Sequence, residues 1–596
     1  MRGVFKAASG PATRGAAWLA RALLGAAWGA AAFAQTVPQP PARAAVSDIP
    51  AAGIVQRAAL NPAQFDGAPI SLFFLYFLGG TGDATQDQAL RARIEGFALP
   101  IGSGPFSPPV ADVAVAGIRA IPGVRGVSYS LYASERPGNV VVVVSATLAA
   151  EKAAEPRGAF VSGKLGDLPI LVENERSLLR VQLNAGFGTY ADHNPWFGSA
   201  PTYTSASPIA TDPPGPGWAT WAEAWVEYGL AGATRLGESN AYAFGEATML
   251  TSGTVGQDLF SSQTRSQTLP EKLYAGILWA EPGTGQSARL TLGRVNWQLD
   301  DGFLFSRFAA GANAGPNASL YLNPRTTYQM AALADVRVGR FKAEAFDLDP
   351  AELQDYDSGT RFQGAHLAWF DKEAWDLGLT GYRVRTSKTV FRDSQGNAFP
   401  REGQRTVAGR VGYWTLAGVP GLSALGEYAY QTHSDVPWSA HAWYAQVAYT
   451  ARQFAWLPSL TYRYASFSGD DPNTPTREAF DAPMSSGLDK WVQGVNFKKV
   501  VTNSNLNTHR VRLYLSPDDR INYTFDYFRL WADVPNAAGQ RRYGDEINLA
   551  LRWAISRQLY FLAVAGIAWP GEVIKTQTQG AARPWSTVQA SLFVNF

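Results

Sequence analysis

The chain has 596 residues, 46% of them hydrophobic, with a formal net charge of +2 and no cysteine. Near charge balance offers no sign of a nucleic-acid partner, and the missing cysteine excludes disulfides and thiolate chemistry. A mean hydropathy of -0.12 is too low for a bundle of membrane helices, and beyond the N-terminus no apolar run reaches the ~20 residues a spanning helix needs. Aromatics at 12%, with 19 Trp, 24 Tyr and 58 Gly, instead favour a β-barrel, in which one closed sheet absorbs hundreds of residues without a conventional core.

Residues 1–34 read as a signal peptide. Arg2, Lys6, Arg14 and Arg21 supply positive charge, Ala22 to Ala34 is the apolar stretch, and Ala32-Phe33-Ala34 is a small-x-small cleavage pattern before Gln35. The alternative is an alanine-rich amphipathic helix. Residues 35–49 are Pro/Ala-rich and read as a linker.

Residues 50–150 have the texture of a small α/β domain. Ile70 to Leu78 is an apolar strand; Gln86 to Phe97 and Val110 to Ile121 have helical spacing, the second ending at Pro122-Gly123. Gly126 to Ala133 and Val140 to Leu148 are strands joined by the turn residues Arg136-Pro137-Gly138-Asn139. This β-α-α-β-β order, carried mostly by IRAIPGVRGVSYSLYASERPGNVVVVVSATL, resembles a POTRA domain. The resemblance implies a periplasmic domain that binds partner or client chains by strand addition; the plainer alternative is a plug or spacer. Residues 151–177 read as a second linker.

From Leu178 to Phe596 the repeating unit is a segment of about ten residues with period-two alternation, the signature of a transmembrane strand. In the last segment Val588, Ala590, Leu592, Val594 and Phe596 face lipid, opposite Thr587, Gln589, Ser591 and Asn595. Ile547, Leu549, Leu551 and Trp553 point out while Glu546, Asn548 and Arg552 point in; Val511, Leu513 and Leu515 oppose Arg510, Arg512 and Tyr514. A soluble sandwich shares this alternation, but the signal peptide and the terminal Phe596 favour a membrane barrel in the outer membrane of a Gram-negative bacterium. Segment counting gives about nineteen; even parity and alternation of short turns with long outer loops reduce this to about 18 strands. The stretch from Ser466 to Leu506, with its weakly alternating segment around Trp491, then becomes an outer loop. Other outer loops fall near 189–218, 251–271, 298–327, 349–360, 386–405 and 432–440, and short turns near Gly339, 371–374 and 451–455.

The stretch TYRYASFSGDDPNTPTREAFD (Thr461 to Asp481), followed by KWVQG (Lys490 to Gly494), is similar to the alginate-export family of outer-membrane barrels. DGFLFSR (Asp301 to Arg307), EYAYQ (Glu427 to Gln431) and AWPGE (Ala568 to Glu572) fit the same family. The resemblance covers residues 178–596 and implies a channel that exports an anionic or polar polysaccharide. The N-terminal domain is extra to a plain exporter. The inward set is also mixed: Glu223, Glu227, Glu246, Glu344, Asp526 and Glu546 stand beside Arg410, Arg463, Arg510, Arg512 and Arg552.

These arginines, with Glu546, form the expected path for cargo. Guanidinium pairs with carboxylate bidentately, and repeated weak sites lower the barrier for an anionic polymer while interspersed carboxylates prevent trapping. The competing reading pairs these charges with one another to stiffen the wall. Asp470, Asp471, Glu478 and Asp481 share one loop and offer oxygen ligands for Ca²⁺, without EF-hand spacing. Gly158 to Lys164 matches the start of a phosphate loop, but Leu165 stands where Ser or Thr must meet Mg²⁺. The five histidines lack ligand spacing and no nucleophile–base pattern emerges, so no cofactor and no enzyme activity is expected. Expected partners are a polar or anionic polysaccharide, outer-membrane lipid and periplasmic proteins held by the small domain, and no nucleic acid. Two other functions compete: protein secretion or membrane-protein assembly, and a purely structural barrel. Against the first, the barrel half lacks a VRGY-type motif; Val124-Arg125-Gly126-Val127 lies in the small domain.

Overall fold

The computed structural model describes residues 53–149 and 170–596, apart from 175, 206, 208, 282–283, 285, 307–317, 353–356, 371–374, 394, 485–490 and 492. The signal peptide, the first linker, most of the second, the phosphate-loop-like stretch and the short turn at 371–374 lie outside the described residues.

The small domain consists of β1 (Ile70–Gly79), α1 (Ala84–Ala98), α2 (Pro108–Arg119), β2 (Val124–Ala133) and β3 (Val140–Leu148). Asp83 caps α1, its carboxylate accepting from the backbone N–H of Thr85 at 2.8 Å and of Gln86 at 3.2 Å. Pro108 and Pro109 open α2, where a missing N–H costs nothing. The sheet order is β1-β3-β2, with β3 parallel to β1 and antiparallel to β2. A parallel neighbour needs a long crossover, which the two helices provide.

After a short strand, β4 (Ile170–Glu173), inside the stretch read as linker, the barrel begins. Its first half is β5 (Ser177–His193), β6 (Trp218–Arg235), β7 (Ala241–Gly256), β8 (Arg265–Glu281), β9 (Gln286–Arg294), β10 (Met330–Val338), β11 (Phe341–Asp349), β12 (Arg361–Phe370) and β13 (Trp375–Thr386). A surface ribbon pairs β14 (Val390–Arg392) with β15 (Ala398–Pro400). The second half is β16 (Gln404–Tyr413), β17 (Leu422–His433), β18 (Ala440–Thr450), β19 (Ser459–Phe467), β20 (Leu506–Leu515), β21 (Ile521–Trp531), β22 (Arg542–Ala554), β23 (Leu559–Pro570) and β24 (Trp585–Asn595). All neighbours are antiparallel, and β24 pairs with β5 from Ser586↔His193 to Asn595↔Asn184, closing a barrel of eighteen strands among the described residues. The Phe596 N–H donates to the Leu183 carbonyl at 3.0 Å and finishes the seam.

The alternation read from the sequence is the alternation of the wall. Val588, Ile547, Leu549 and Val511 are exposed, whereas Thr587, Glu546, Asn548, Arg510 and Arg512 are buried. Outward Leu273, Leu290, Leu367, Leu379, Val407 and Leu460 make an apolar belt. Tyr428, Tyr430 and Tyr462 edge it on the long-loop side; Phe341, Trp375 and Trp553 edge it near the short turns. Amphipathic rings at both rims and aliphatics between are what a bilayer solvates.

Candidate functional site

All six residues expected to line the path project from the inner side of the wall: Arg410 from β16, Arg463 from β19, Arg510 and Arg512 from β20, Glu546 and Arg552 from β22. Several are committed to neighbours. Asp526, opposite Arg512 on β21, takes 2.7 Å contacts from Arg512 Nε and Nη2 and a 2.9 Å contact from Arg510 Nε. Arg410 Nη1 donates to Asp376 at 2.8 Å. The Arg463 guanidinium lies 3.9 Å from the centre of the Trp491 ring, a cation–π contact. Charge pairing within the wall thus accounts for much of what the sequence offered as weak cargo sites.

The described parts of two long loops that topology assigns to the outer side fold back into the lumen. In the first, residues 295–329, Trp297, Phe303 and Phe305 are buried. In the second, residues 468–505, Trp491 packs 4.8 Å from Phe303 and 4.7 Å from Tyr444 on β18. The reading that put the Trp491 segment in an outer loop holds for connectivity, but the segment itself lies inside. The cause is twofold. The wall offers inward aromatics for these rings to bury against, and inward carboxylates satisfy the loop backbone. Glu223 accepts from the N–H groups of Tyr321 at 2.9 Å and Leu322 at 2.7 Å. Glu271 accepts from Thr326 and Thr327, at 2.8 and 3.2 Å. Glu546 accepts from Val495, Asn496 and Phe497. Sequence reasoning placed Glu546 in the cargo path and had the inward carboxylates, Glu223 among them, prevent trapping; their partners lie too far along the chain for any local pattern to reveal.

The small domain occupies the short-turn mouth of the same lumen. Asp66 meets Lys272 of β8 at 3.4 Å, and Asp112 meets Arg180 of β5 at 2.7 Å. Glu135 pairs with Arg452 in the turn after β18. Arg289 donates to the Pro105 carbonyl at 2.9 Å and Arg337 to the Gly102 carbonyl at 3.1 Å. On this surface the plug supplies mainly carboxylates and carbonyls and the wall mainly cations. Burial pushes the Asp112 and Glu135 carboxyls above their ordinary range, with Arg180 and Arg452 offsetting part of the shift. Deeper in, the β2–β3 hairpin meets the first inward loop: Gln298 donates to the Gly138 carbonyl at 3.2 Å. Gly138 has φ +90, and a Cβ there would lie 2.3 Å from the Asp301 Cα. Only glycine fits. Asp301 also accepts from the Tyr444 hydroxyl at 2.8 Å, and burial raises its carboxyl pKa despite Arg410 nearby.

Cavities between the plug and the wall include one of about 310 Å³ beside Asp112 and Arg180, and two against segment 55–65, of about 250 and 120 Å³, the pair that gathers the arginines. Arg510, Arg512 and Arg552 line both; Lys272 and Lys498 line the larger one and Arg463 the smaller. Glu227, Glu271 and Asp526 temper the charge of the larger cavity, and Tyr190, Trp225 and Tyr321 add aromatic faces. The structure therefore gathers Arg463, Arg510, Arg512 and Arg552 beside the plug, while Arg410 and Glu546 serve other contacts.

The acidic loop is internally consumed. Asp481 takes both forks of Arg401, at 2.7 and 3.0 Å, and Asp470 accepts from the Glu478 N–H at 2.7 Å. Among the described residues no group of three or more His, Cys, Asp or Glu side chains is placed to hold a metal ion.

A closed antiparallel barrel with a charged lumen, an apolar outer belt and aromatic rims is a β-barrel of the Gram-negative outer membrane. No protein-family model matches the chain, and no curated protein matches its sequence. Among solved structures it is similar to Pseudomonas aeruginosa OccK7 (OpdD), with 11% identity, a TM-score of 0.43 and coverage of 70% of this chain and 98% of that one. It is similar also to Acinetobacter baumannii OccAB4, at 10% identity, TM-score 0.42 and 70% and 98% coverage. The outer membrane protein OprD from Pseudomonas aeruginosa gives 11%, 0.39, 70% and 93%.

Proposed function

We propose that this barrel exports a polar, anionic polysaccharide from the periplasm to the cell surface, and that its N-terminal domain is the gate. The observation that supports this reading most is the pair of cavities beside the plug, which share Arg510, Arg512 and Arg552, the smaller adding Arg463 and the larger Tyr190, Trp225 and Tyr321. Guanidinium groups recognise carboxylates in a planar, bidentate way, and aromatic faces suit the apolar faces of sugar rings. The likeness of Thr461 to Asp481 to alginate exporters points to the same cargo class.

Protein secretion or membrane-protein assembly is the second reading. It is favoured by the β-α-α-β-β domain with POTRA-like order at the barrel mouth, whose strand β1 pairs with β3 alone among the described residues. Planar-bilayer recording separates the two. Under the first reading a soluble polyuronate added on the short-turn side interrupts the current of open channels, a neutral dextran of equal length does so less, and an unfolded polypeptide has no effect. Blockade by the polypeptide alone would reverse the order.

A further inference from the structure

Four arginines stand on the outer face of the barrel, away from the lumen and any cargo. They are Arg361 at the start of β12, Arg383 and Arg385 near the end of β13, and Arg405 at the start of β16, all exposed. These three strands are consecutive in the wall, and these ends adjoin the long loops. Arg383 and Arg405 are directly opposite one another in the β13–β16 pairing. Like charges in that position repel and destabilise a sheet unless something between them is negative. The carboxylates nearby do not serve this pair: Asp349 is engaged by Arg361 at 3.1 Å and Asp347 by Arg385 at 3.4 Å. Arg383 is steadied by the Gln363 side-chain oxygen at 2.7 Å, and the Arg405 side chain has no hydrogen-bond or ion-pair partner among the described residues. The loop above adds Lys388, Arg392 and Arg401 against Asp393 and Glu402.

Height in the membrane identifies the missing anion. On β16 the next outward residue after Arg405 is Val407, which pairs with Tyr430 of β17, while Arg405 itself pairs with Thr432. The arginines therefore lie one step, roughly 7 Å along the strand, beyond the tyrosine rim, which a strand tilt of ~35–45° turns into roughly 5 Å of height. Aromatic belts sit at headgroup level, so this step reaches the phosphate layer of the outer leaflet. We propose that Arg383 and Arg405, flanked by Arg361 and Arg385, form a binding site for the phosphates of a bis-phosphorylated glycolipid of the outer leaflet. Each guanidinium offers a fork of donors to one phosphate, and the strand pairing fixes the spacing between the two forks.

The test uses the purified full-length barrel in detergent, titrated with bis-phosphorylated lipid A in mixed micelles or with the same lipid dephosphorylated. Retention is read by native mass spectrometry. The wild type should hold the phosphorylated lipid at least about tenfold more tightly, the equivalent of one lost charge-assisted contact. Arg383→Gln with Arg405→Gln should abolish that preference. Arg529→Gln, which removes an outward arginine on β21, should keep it. Inorganic phosphate at millimolar concentration should not displace the lipid. Equal retention of the two lipids by the wild type would overturn the proposal, and this arm needs no variant to fold. So would a preference that survives the double substitution, or an equal loss in the Arg529 variant. Displacement by inorganic phosphate would assign a free-anion site, and displacement by soluble polyuronate a surface polymer site; either outcome also overturns it.

Discussion

Lys272 is the residue on which closure of the lumen can be tested most directly. Its Nζ lies 3.0 Å from Glu246, 3.4 Å from Asp66 and 3.6 Å from Glu227, and the side chain is only 4% exposed. Glu246 and Glu227 belong to the wall, but Asp66 belongs to the plug. Lys272→Met keeps the length of the side chain and leaves three carboxylates facing one another without their cation. Breaking a buried ion pair from one side costs about 3–5 kcal/mol. The wall carboxylates cannot leave; Asp66 can, by taking the plug with it. If release relieves most of that cost, the balance between docked and released plug shifts by about 10² to 10³. Asp66→Asn removes the plug's charge instead and leaves Lys272 with two wall partners. That change should cost about 1 kcal/mol, a factor near five. Open probability in planar bilayers and protease cleavage within residues 53–66 should therefore rank Lys272→Met far above Asp66→Asn. Combining the two substitutions should restore part of the closure. A Lys272→Met barrel that folds, shows heat-modifiability and stays as closed as wild type would refute the reasoning, as would Asp66→Asn opening it equally.

Three further outcomes follow from the same geometry. Glu546→Ala strips the acceptor from three loop N–H groups, at about 1–3 kcal/mol for each donor left buried without a partner; the loop around Phe497 should become cleavable by external protease, and Glu546→Gln should protect most of it. An epitope inserted at the exposed Asn473 should be reached by antibody on whole cells, and one placed after Pro517 should not; reversed labelling would invert the barrel. The Asp112, Glu135 and Asp301 carboxyls are all raised by burial in the closed lumen, so the docked state holds protons more tightly than the released one. That contribution to closure is complete below the ordinary carboxylate value of about 4 and fades as pH rises through the raised values. Open probability should fall on acidification into that window, and a rise would contradict it.

What the sequence disclosed depended on the range of the physics. Strands of a barrel face two solvents, so Arg510-Val511-Arg512-Leu513 states its own orientation, and parity then settles the connectivity. The small domain was equally local: its helices and strands formed within a residue or two of the stretches read from periodicity. The fate of the long loops was not local. Residues 295–329 carry no alternation, and whether they lie outside or inside depends on Glu223, Glu271, Tyr444 and Trp491, each on a different element. The docking of the plug was hidden for the same reason, since nothing around Asp66 announces Lys272. Arg510 and Arg512 illustrate the middle case. Their direction was legible, but their shared partner Asp526 was not, because it takes the β20–β21 register to place it opposite Arg512. That partner also changes how the arginines should be probed: Glu at both positions would crowd three carboxylates together. Neutral glutamine at Arg463 or Arg552 is a cleaner probe of selectivity.

The two closures of the lumen are not equivalent, and the difference bears on which one yields. The outer loops are fastened through their backbones: Glu223, Glu271 and Glu546 together take up N–H groups at seven positions of loop chain. Each of those groups, once pulled from its carboxylate, must find water in a space filled by Trp297, Phe303, Phe305 and Trp491. The plug is fastened by ion pairs such as Asp66 to Lys272, Asp112 to Arg180 and Glu135 to Arg452, and by hydrogen bonds from barrel side chains to its carbonyls at Gly102, Pro105 and Gly138. When it leaves, both members of every pair gain water, which repays much of the Coulomb energy lost. Its own core, from Ile94 and Phe106 to Val142 and Val144, is separate from that of the barrel and travels intact. The apolar cost falls on the few α2 residues, Val110, Val113 and Ala116, that share the barrel's core. Movement of the plug therefore exchanges contacts that water can replace, whereas movement of the loops exposes backbone and aromatic surface that water solvates poorly. Of the two, the plug is the part whose release costs less.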